Sequence, residues 1–285
     1  TIDLCAGGEY LWDGIKRDRL VWIGDIYPEM LALTTLYGRT EIIEKSLDFI
    51  KDATVLPAFM NDMPTYSMWW IIVLHDYYQI TGCKDFLDKQ IGYLEKLIKI
   101  LNLNVGENGE LNYDMFVDGP TRGDNDEPTG TRCINLAAAE KARAILKTYG
   151  KDTKYASEMI VKLKKGSFAI DSKKQVIGLK YYAFGEISEE EYDLLVKGGA
   201  AGLSTFMSYF ILTAIAAKDK KLAVRIMNDY YGKMLELGAT TFWEDFDIAW
   251  AQNAGGIDEF PVKGKADIHG DFGAFCYKGY RHSLC

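Results

Sequence analysis

The fourteen residues Trp12-Asp13-Gly14-Ile15-Lys16-Arg17-Asp18-Arg19-Leu20-Val21-Trp22-Ile23-Gly24-Asp25 hold three aspartates, three cations, two tryptophans and two glycines. Carboxylates exchange protons or grip hydroxyl groups, cations brace them, and indole faces cover the apolar side of a sugar ring. Drawn as a helix at about 100° per residue, Asp18 and Asp25 share a face and Asp13 does not. The two glycines favour instead an irregular loop in which all three carboxylates converge. The plain alternative is a solvated charged turn, which would gain nothing from two large aromatic faces.

A second candidate stands far downstream. Gly238 reads as a helix stop, and Ala239-Thr240-Thr241-Phe242 as an extended run, because β-branched and aromatic residues suit extended backbone. That run delivers Trp243 and Glu244. Alone, Glu244 is a surface carboxylate; beside a tryptophan, on a loop after a buried helix pair, it is a candidate general base. Hydrolysis assisted by two carboxyl groups uses one protonated to supply a proton to the leaving group and one ionised to take a proton from water. Among the three histidines, His75 sits mid-helix and reads as structural, His269 lies near the C-terminal end, and His282 has no assigned place. Asp114 and Asp118 precede an inner helix within reach of a cavity mouth, whereas Asp124, Asp126 and Glu127 read as solvated charge. A site for Ca²⁺ or Mg²⁺ on Asp13, Asp18 and Asp25 would have suitable oxygen ligands, but Lys16, Arg17 and Arg19 would repel the ion. No metal and no cofactor is expected.

These residues resemble the signature of the bacterial α-L-rhamnosidases, inverting six-hairpin glycosidases in which the first stretch normally reads Asp-x-Pro-x-Arg-Glu-x-x-x-Trp-x-Gly-Asp. Two further landmarks follow in the right order, Gly238-Ala239-Thr240-Thr241-Phe242-Trp243-Glu244-Asp245-Phe246-Asp247 and His269-Gly270-Asp271-Phe272-Gly273-Ala274. The resemblance runs from Thr1 to Cys285. It implies an all-α fold, an (α/α)6 six-hairpin toroid, with Asp18 in the position of the general acid and Glu244 in that of the base. It also implies that Asp13 and Asp25 hold sugar hydroxyls, that Arg17 braces those carboxylates, and that His269 contacts the sugar. Trp22 and Trp243 would offer their flat faces to the ring and its methyl group. The chain departs from the pattern twice: the acid glutamate is Asp18, and the family's Asp-Trp-Pro is Asp118-Gly119-Pro120. Arg17 and Arg19 would lower the pKa of Asp18 if they pointed at it, the wrong direction for an acid, so an acid at position 18 requires both to point elsewhere. Shortening the side chain by a methylene, ~1.5 Å, keeps open a second function, a carbohydrate-binding toroid or scaffold without turnover, because ~1 Å of misplacement costs about 100-fold in rate.

With 285 residues, 48% of them hydrophobic, the chain fills one large core, and one domain spanning Thr1–Cys285 is expected. A net charge of −8 and a pI near 5.1 disfavour nucleic acid as partner and favour a neutral carbohydrate. Five scattered cysteines without a CxxC pair read as ordinary thiols. The longest apolar run, Met68 to Leu74, is far short of the ~20 residues of a membrane span. The chain opens at Thr1-Ile2-Asp3-Leu4 with no basic segment leading into an apolar one, and its abrupt start and stop predict a piece of a longer multidomain protein whose first and last helices lie outside it.

The elements that must position these residues alternate in character. Helices are predicted over Tyr27 to Gly38 and Glu41 to Asp52. Tyr66 to Thr81 is apolar on nearly every side and so buried all round, whereas Lys84 to Leu101 carries a single apolar stripe. Thr131 to Tyr149 and Thr153 to Lys164 repeat the pair. Ser188 and Glu191 have capping-box spacing for a helix to Val196; a nearly uncharged helix from Leu203 to Ala214 then precedes a charged one, Lys220 to Leu237. Gly109 to Phe116 and Phe168 to Gly178 read as extended loop hairpins. A buried helix followed by a half-exposed one, repeated, is what two concentric rings require; an α-solenoid is the competing architecture.

Overall fold

The computed structural model describes residues 2–13, 20–239, 242–243 and 246–252. The fold is an all-α toroid. After the short α1 (Ile2–Cys5), five helical hairpins follow in order: α2 (Ile26–Tyr37) with α3 (Glu41–Ala53), α4 (Pro64–Thr81) with α5 (Lys84–Leu103), α6 (Glu127–Thr148) with α7 (Lys154–Leu163), α8 (Lys174–Phe184) with α9 (Glu189–Val196), and α10 (Ser208–Lys218) with α11 (Lys220–Glu236). The even-numbered helices make the inner ring, α2 packing on α4, α4 on α6, α6 on α8 and α8 on α10.

Burial follows the sequence pattern. Every residue from Pro64 to Leu74 is buried in α4, as a helix with no polar face requires. On α5 only the stripe through Leu87, Ile91, Leu94, Ile98 and Leu101 faces inward with its neighbours. Pro64 starts α4 at a position whose amide has no partner in the helix. Gly82 ends it in the left-handed conformation, at φ 68°, with its N–H on Tyr78 C=O at 2.8 Å. The capping box at α9 is complete: Glu191 N–H donates to Ser188 Oγ (3.2 Å) and Ser188 N–H to Glu191 Oε2 (2.9 Å).

The inside of the ring is filled with aromatic side chains. Tyr27 touches three other inner helices, through Trp69 (5.5 Å between ring centroids), Tyr182 (6.0 Å) and Phe210 (5.8 Å, stacked). Below this layer the Tyr27 and Tyr182 hydroxyls both donate to Asp76 Oδ2 at 3.0 Å, and Lys141 and His75 reach Asp76 Oδ1. Burial pushes the Asp76 carboxyl up, but the His75 hydrogen bond and the Lys141 charge outweigh it and hold the pKa below the usual value. His75 is thus structural, as its mid-helix position suggested.

Several expectations are corrected. Phe168 to Gly178 is not an extended hairpin, because Lys174–Phe184 is the inner helix α8. Val176, Ile177 and Gly178 weaken its local helix signal, and tertiary packing overrides it. A Cβ on Gly178 would stand 2.8 Å from Ile211 N and 3.0 Å from Phe210 C, so glycine is what lets α8 lie against the backbone of α10. Helix α10 starts at Ser208 rather than near Leu203, since Ser204 and Thr205 commit their hydroxyls to other segments. Helix α6 begins four residues before Thr131, at Glu127. At the start of the Gly109 to Phe116 stretch an isolated antiparallel bridge between Val105 and Leu111 closes a small turn. Cys5, Cys83 and Cys133 are buried thiols; Cys276 and Cys285 lie outside the described residues.

Gly178→Ala should destabilise by about 1–3 kcal/mol, the usual cost of overpacking. Gly92→Ala, on the exposed face of α5 with no atom near its added Cβ, should instead stabilise by up to ~1 kcal/mol through helix propensity. Denaturant unfolding of both variants reads the opposite signs directly.

Candidate active site

The aspartate stretch reaches the inner ring at the N-terminal end of α2. Ile23 N–H donates to Asn61 Oδ1 (3.2 Å) and Asn61 Nδ2 donates to Val21 C=O (3.1 Å), so one side chain holds residues 21–23 against the loop before α4. Asn61 does so from the left-handed region (φ 53°, ψ 27°), which asparagine tolerates better than most residues. Gly24 lies on the Tyr66 ring, where a Cβ would come within 2.8 Å of Cε1; the glycine of the Trp-x-Gly-Asp pattern is needed for this close approach. Asp25 follows at the start of α2, 3% exposed, its N–H on Trp22 C=O at 3.0 Å. Asp13, 2% exposed, is paired with Leu20: its N–H donates to Leu20 C=O (3.0 Å), and Leu20 N–H donates to Asp13 Oδ1 (3.1 Å). These two bonds tie together the ends of the stretch that carries Arg17 and Asp18. Trp22 meets Tyr66 edge-on at 5.8 Å, and its buried indole N–H has no hydrogen-bond partner among the described residues. Arg17, Asp18, Glu244 and His269 lie outside the described residues.

A cavity of about 700 Å³ opens at the same end of the ring, between the starts of α6, α8 and α10 and the segment after α11. This is within the ~300–1,000 Å³ that small-ligand pockets occupy. Phe206, Phe246 and Trp250 supply much of its apolar surface, and Asp118, Lys173, Lys174 and Asp247 its charged groups. Phe246 and Asp247 stand two and three residues after Glu244. Asp13 and Asp25 are not among the described residues of its wall; two chains of rings run to it from residues that flank Asp25. Trp22 contacts Tyr66 and Tyr66 contacts Phe116, two residues before Asp118, while Tyr27, two residues after Asp25, contacts Trp69, which meets Phe206 on the wall.

Asp118, singled out in the sequence, is buried in the cavity wall. Its Oδ2 accepts from Ser204 Oγ at 2.7 Å and its Oδ1 from Thr121 N–H at 3.1 Å and from the Thr121 hydroxyl. Burial pushes its pKa up, more than these hydrogen bonds pull it down. Lys174, which no sequence pattern marked, donates from Nζ to Gly199 C=O at 2.8 Å and has no carboxylate partner among the described residues. Burial alone pulls its pKa down to about 8.

Asp126 and Glu127 are not solvated charge; both are buried. Asp126 accepts three successive backbone N–H groups, from Asp171 on Oδ1 (2.7 Å) and from Ser172 and Lys173 on Oδ2 (2.9 and 2.8 Å). It joins the start of α6 to the start of α8, where unpaired amides and the helix dipole favour a carboxylate. Glu127 accepts the Gly123 N–H at 2.7 Å. Asp124 is the more open of the three, paired with Lys173 at 3.2 Å.

Trp243 does not present an open face to the cavity, contrary to the sequence expectation. Its ring is 1% exposed and meets Phe246 edge-on at 5.6 Å. Because this indole is so large, burying it anchors the segment to the core.

Two solved structures resemble this architecture throughout. One is a rhamnosidase from Klebsiella oxytoca with rhamnose bound, matched with a TM-score of 0.68 at 16% identity over 98% of this chain and 61% of that one. The other is a GH78 family rhamnosidase of Bacillus sp. GL1, matched with a TM-score of 0.69 at 19% identity over 96% of this chain and 32% of that one. The fold is rhamnosidase-like. The chain spans 61% and 32% of the length of these two proteins. No family model and no curated protein matches the chain.

A folded-state pKa raised above the unfolded value means that Asp118 contributes fully below about pH 4 and loses that contribution as pH rises through its folded pKa. Asp118→Asn should therefore remove a falling component from the stability–pH profile. Carbon-13 titration should place the Asp118 carboxyl above the ordinary aspartate range and that of Asp124, whose hydrogen bond from Asp126 N–H lowers it, below that range. An Asp118 that titrates at or below Asp124 contradicts the buried-acid description.

Proposed function

We propose that the chain is the catalytic domain of an inverting glycoside hydrolase that releases terminal α-L-rhamnose, or a related deoxy sugar, from a glycoside or polysaccharide. The observation that carries this reading is a rhamnosidase-like toroid with a cavity at the starts of its inner helices, partly walled by Phe246 and Asp247.

In this reading Asp18 gives its proton to the glycosidic oxygen as the bond to the leaving group breaks. Glu244 takes a proton from the water that attacks the anomeric carbon from the opposite face, so the configuration inverts. Asp13 and Asp25 hold neighbouring hydroxyls of the sugar, Arg17 braces them, and His269 contacts a further hydroxyl. Charged acceptors suit hydroxyl donors because such bonds are stronger than neutral ones. The apolar surface at Trp22 and Phe206 suits a sugar that carries a methyl group. Trp243, buried as described, serves the sugar through the placement of its loop.

Glu244→Gln should lower turnover of an aryl α-L-rhamnoside by about 10²–10⁴-fold while binding of the free sugar survives, because a base acts in the transition state. Asp18→Asn should suppress cleavage of a poor leaving group much more than of an activated aryl one, which departs without protonation. Steady-state assays with both leaving groups, alongside calorimetry with the sugar, check this. Sugar binding by the unmutated protein with no turnover on any glycoside would favour the scaffold instead, and full turnover by Glu244→Gln would move the base elsewhere.

A further inference from the structure

The carbonyl groups of Trp243 and Phe246 stand on either side of Glu244 and Asp245 in the chain, and each accepts a buried hydroxyl from a different element. Thr205 Oγ1, from the turn that leads into α10, donates to Trp243 C=O. Tyr230 Oη, from α11, donates to Phe246 C=O at 2.8 Å. Thr205 and Tyr230 are both 0% exposed. Trp243 N–H points at Met234 Sδ (3.3 Å), one turn beyond Tyr230 on α11, so both backbone groups of Trp243 are engaged.

The donors are themselves fixed. Thr205 C=O accepts from Tyr231 Oη at 3.0 Å and from Ser208 Oγ at 2.8 Å, and those two hydroxyls stand 2.6 Å apart. Ser204 donates to Asp118 in the cavity wall. A carbonyl on a surface loop is ordinarily satisfied by water. Here two wholly buried hydroxyls are devoted to carbonyls three residues apart, a span of at most three Cα–Cα steps of ~3.8 Å.

We propose that Thr205 and Tyr230 are positioning residues for Glu244, a pair of hydroxyls that holds the carbonyls of Trp243 and Phe246, the described residues before and after it in the chain. The inference rests on the reading of Glu244 as the general base. A base must meet the attacking water within hydrogen-bond reach, and an ångström of drift costs about 100-fold in rate. The hydroxyls act through Glu244 and touch no substrate.

The test uses Tyr230→Phe and Thr205→Val, which keep shape and lose the hydroxyl, and Thr205→Ser, which keeps the hydroxyl. In folded protein, with unfolding midpoints near wild type, the first two should lower kcat about 10–100-fold with KM within about 2-fold, and Thr205→Ser should restore it. On a Glu244→Gln background neither should lower kcat further, because the group they place is already gone. Independently of turnover, the carbon-13 carboxyl titration of Glu244 should shift in Tyr230→Phe and Thr205→Val and return in Thr205→Ser. Wild-type kcat in the two folded variants, full additivity with Glu244→Gln, or an unmoved Glu244 titration overturns the inference. Wild-type turnover by Glu244→Gln alone removes the base reading, and the separate titration then still reports whether the two hydroxyls place this side chain.

Discussion

The inner ring touches protein on every side, and the rest of the structure depends on that. A helix such as α4, buried from Pro64 to Leu74, cannot carry an unpaired charge along its length without a large desolvation cost. Polar chemistry is therefore displaced to the ends of the inner helices, where unpaired amides and the helix dipole favour carboxylates. Asp25 at α2 and Asp126 at α6 occupy such ends, and Asp118 lies on the turn leading into α6. Asp76, held inside the ring, has two tyrosine hydroxyls, a histidine and a lysine around it. The aromatic layer through Tyr27, Trp69 and Phe210 lies between that cluster and the cavity end and fills the ring with packed side chains.

Environment, rather than residue type, divides structural from chemical roles at that end. Asp126 has its oxygens taken by three amides of the turn before α8 and joins two helices. Asp118, eight residues earlier, has hydroxyl partners, lines the cavity, and is pushed toward its neutral form by burial. Lys174 on the same wall is likewise pushed toward its neutral form, its pKa falling where that of Asp118 rises. The hydroxyls of Ser204, Thr205, Tyr230 and Tyr231 extend the same logic into the core, where buried polar groups stay paired and so fix one geometry.

Much of the ring was legible in the sequence because its driving force is written as periodicity. The stripe on α5, the all-round apolarity of α4, the glycine stops at Gly82 and Gly238 and the capping box at Ser188 all became structure at or near their expected places. What was not legible depended on partners distant in the chain. Helix α8 looked extended because Gly178 is chosen for contact with α10, not for helix propensity. Asp126 looked solvated because its three donors lie about 45 residues away. Trp243 looked like a binding platform because tryptophan beside glutamate has that appearance in one dimension, whereas its ring is core. Asn61, Lys174 and Thr205 carried no pattern at all; an asparagine before a proline-started helix was the only hint of the first.

The anomeric form of the sugar first released bears most directly on the central claim, that a carboxylic acid and a separate base act on one glycosidic bond at the mouth of this ring. Proton NMR on an aryl α-L-rhamnoside, read in the first minutes before mutarotation, distinguishes the outcomes. The account predicts β-L-rhamnose as the first product, the inverted configuration that follows when ~6.5–9.5 Å between the carboxyl groups leaves room for water. First appearance of α-L-rhamnose would mean a covalent route with the carboxyl groups ~5–5.5 Å apart, and would contradict the assignment of Glu244 as a base that acts through water.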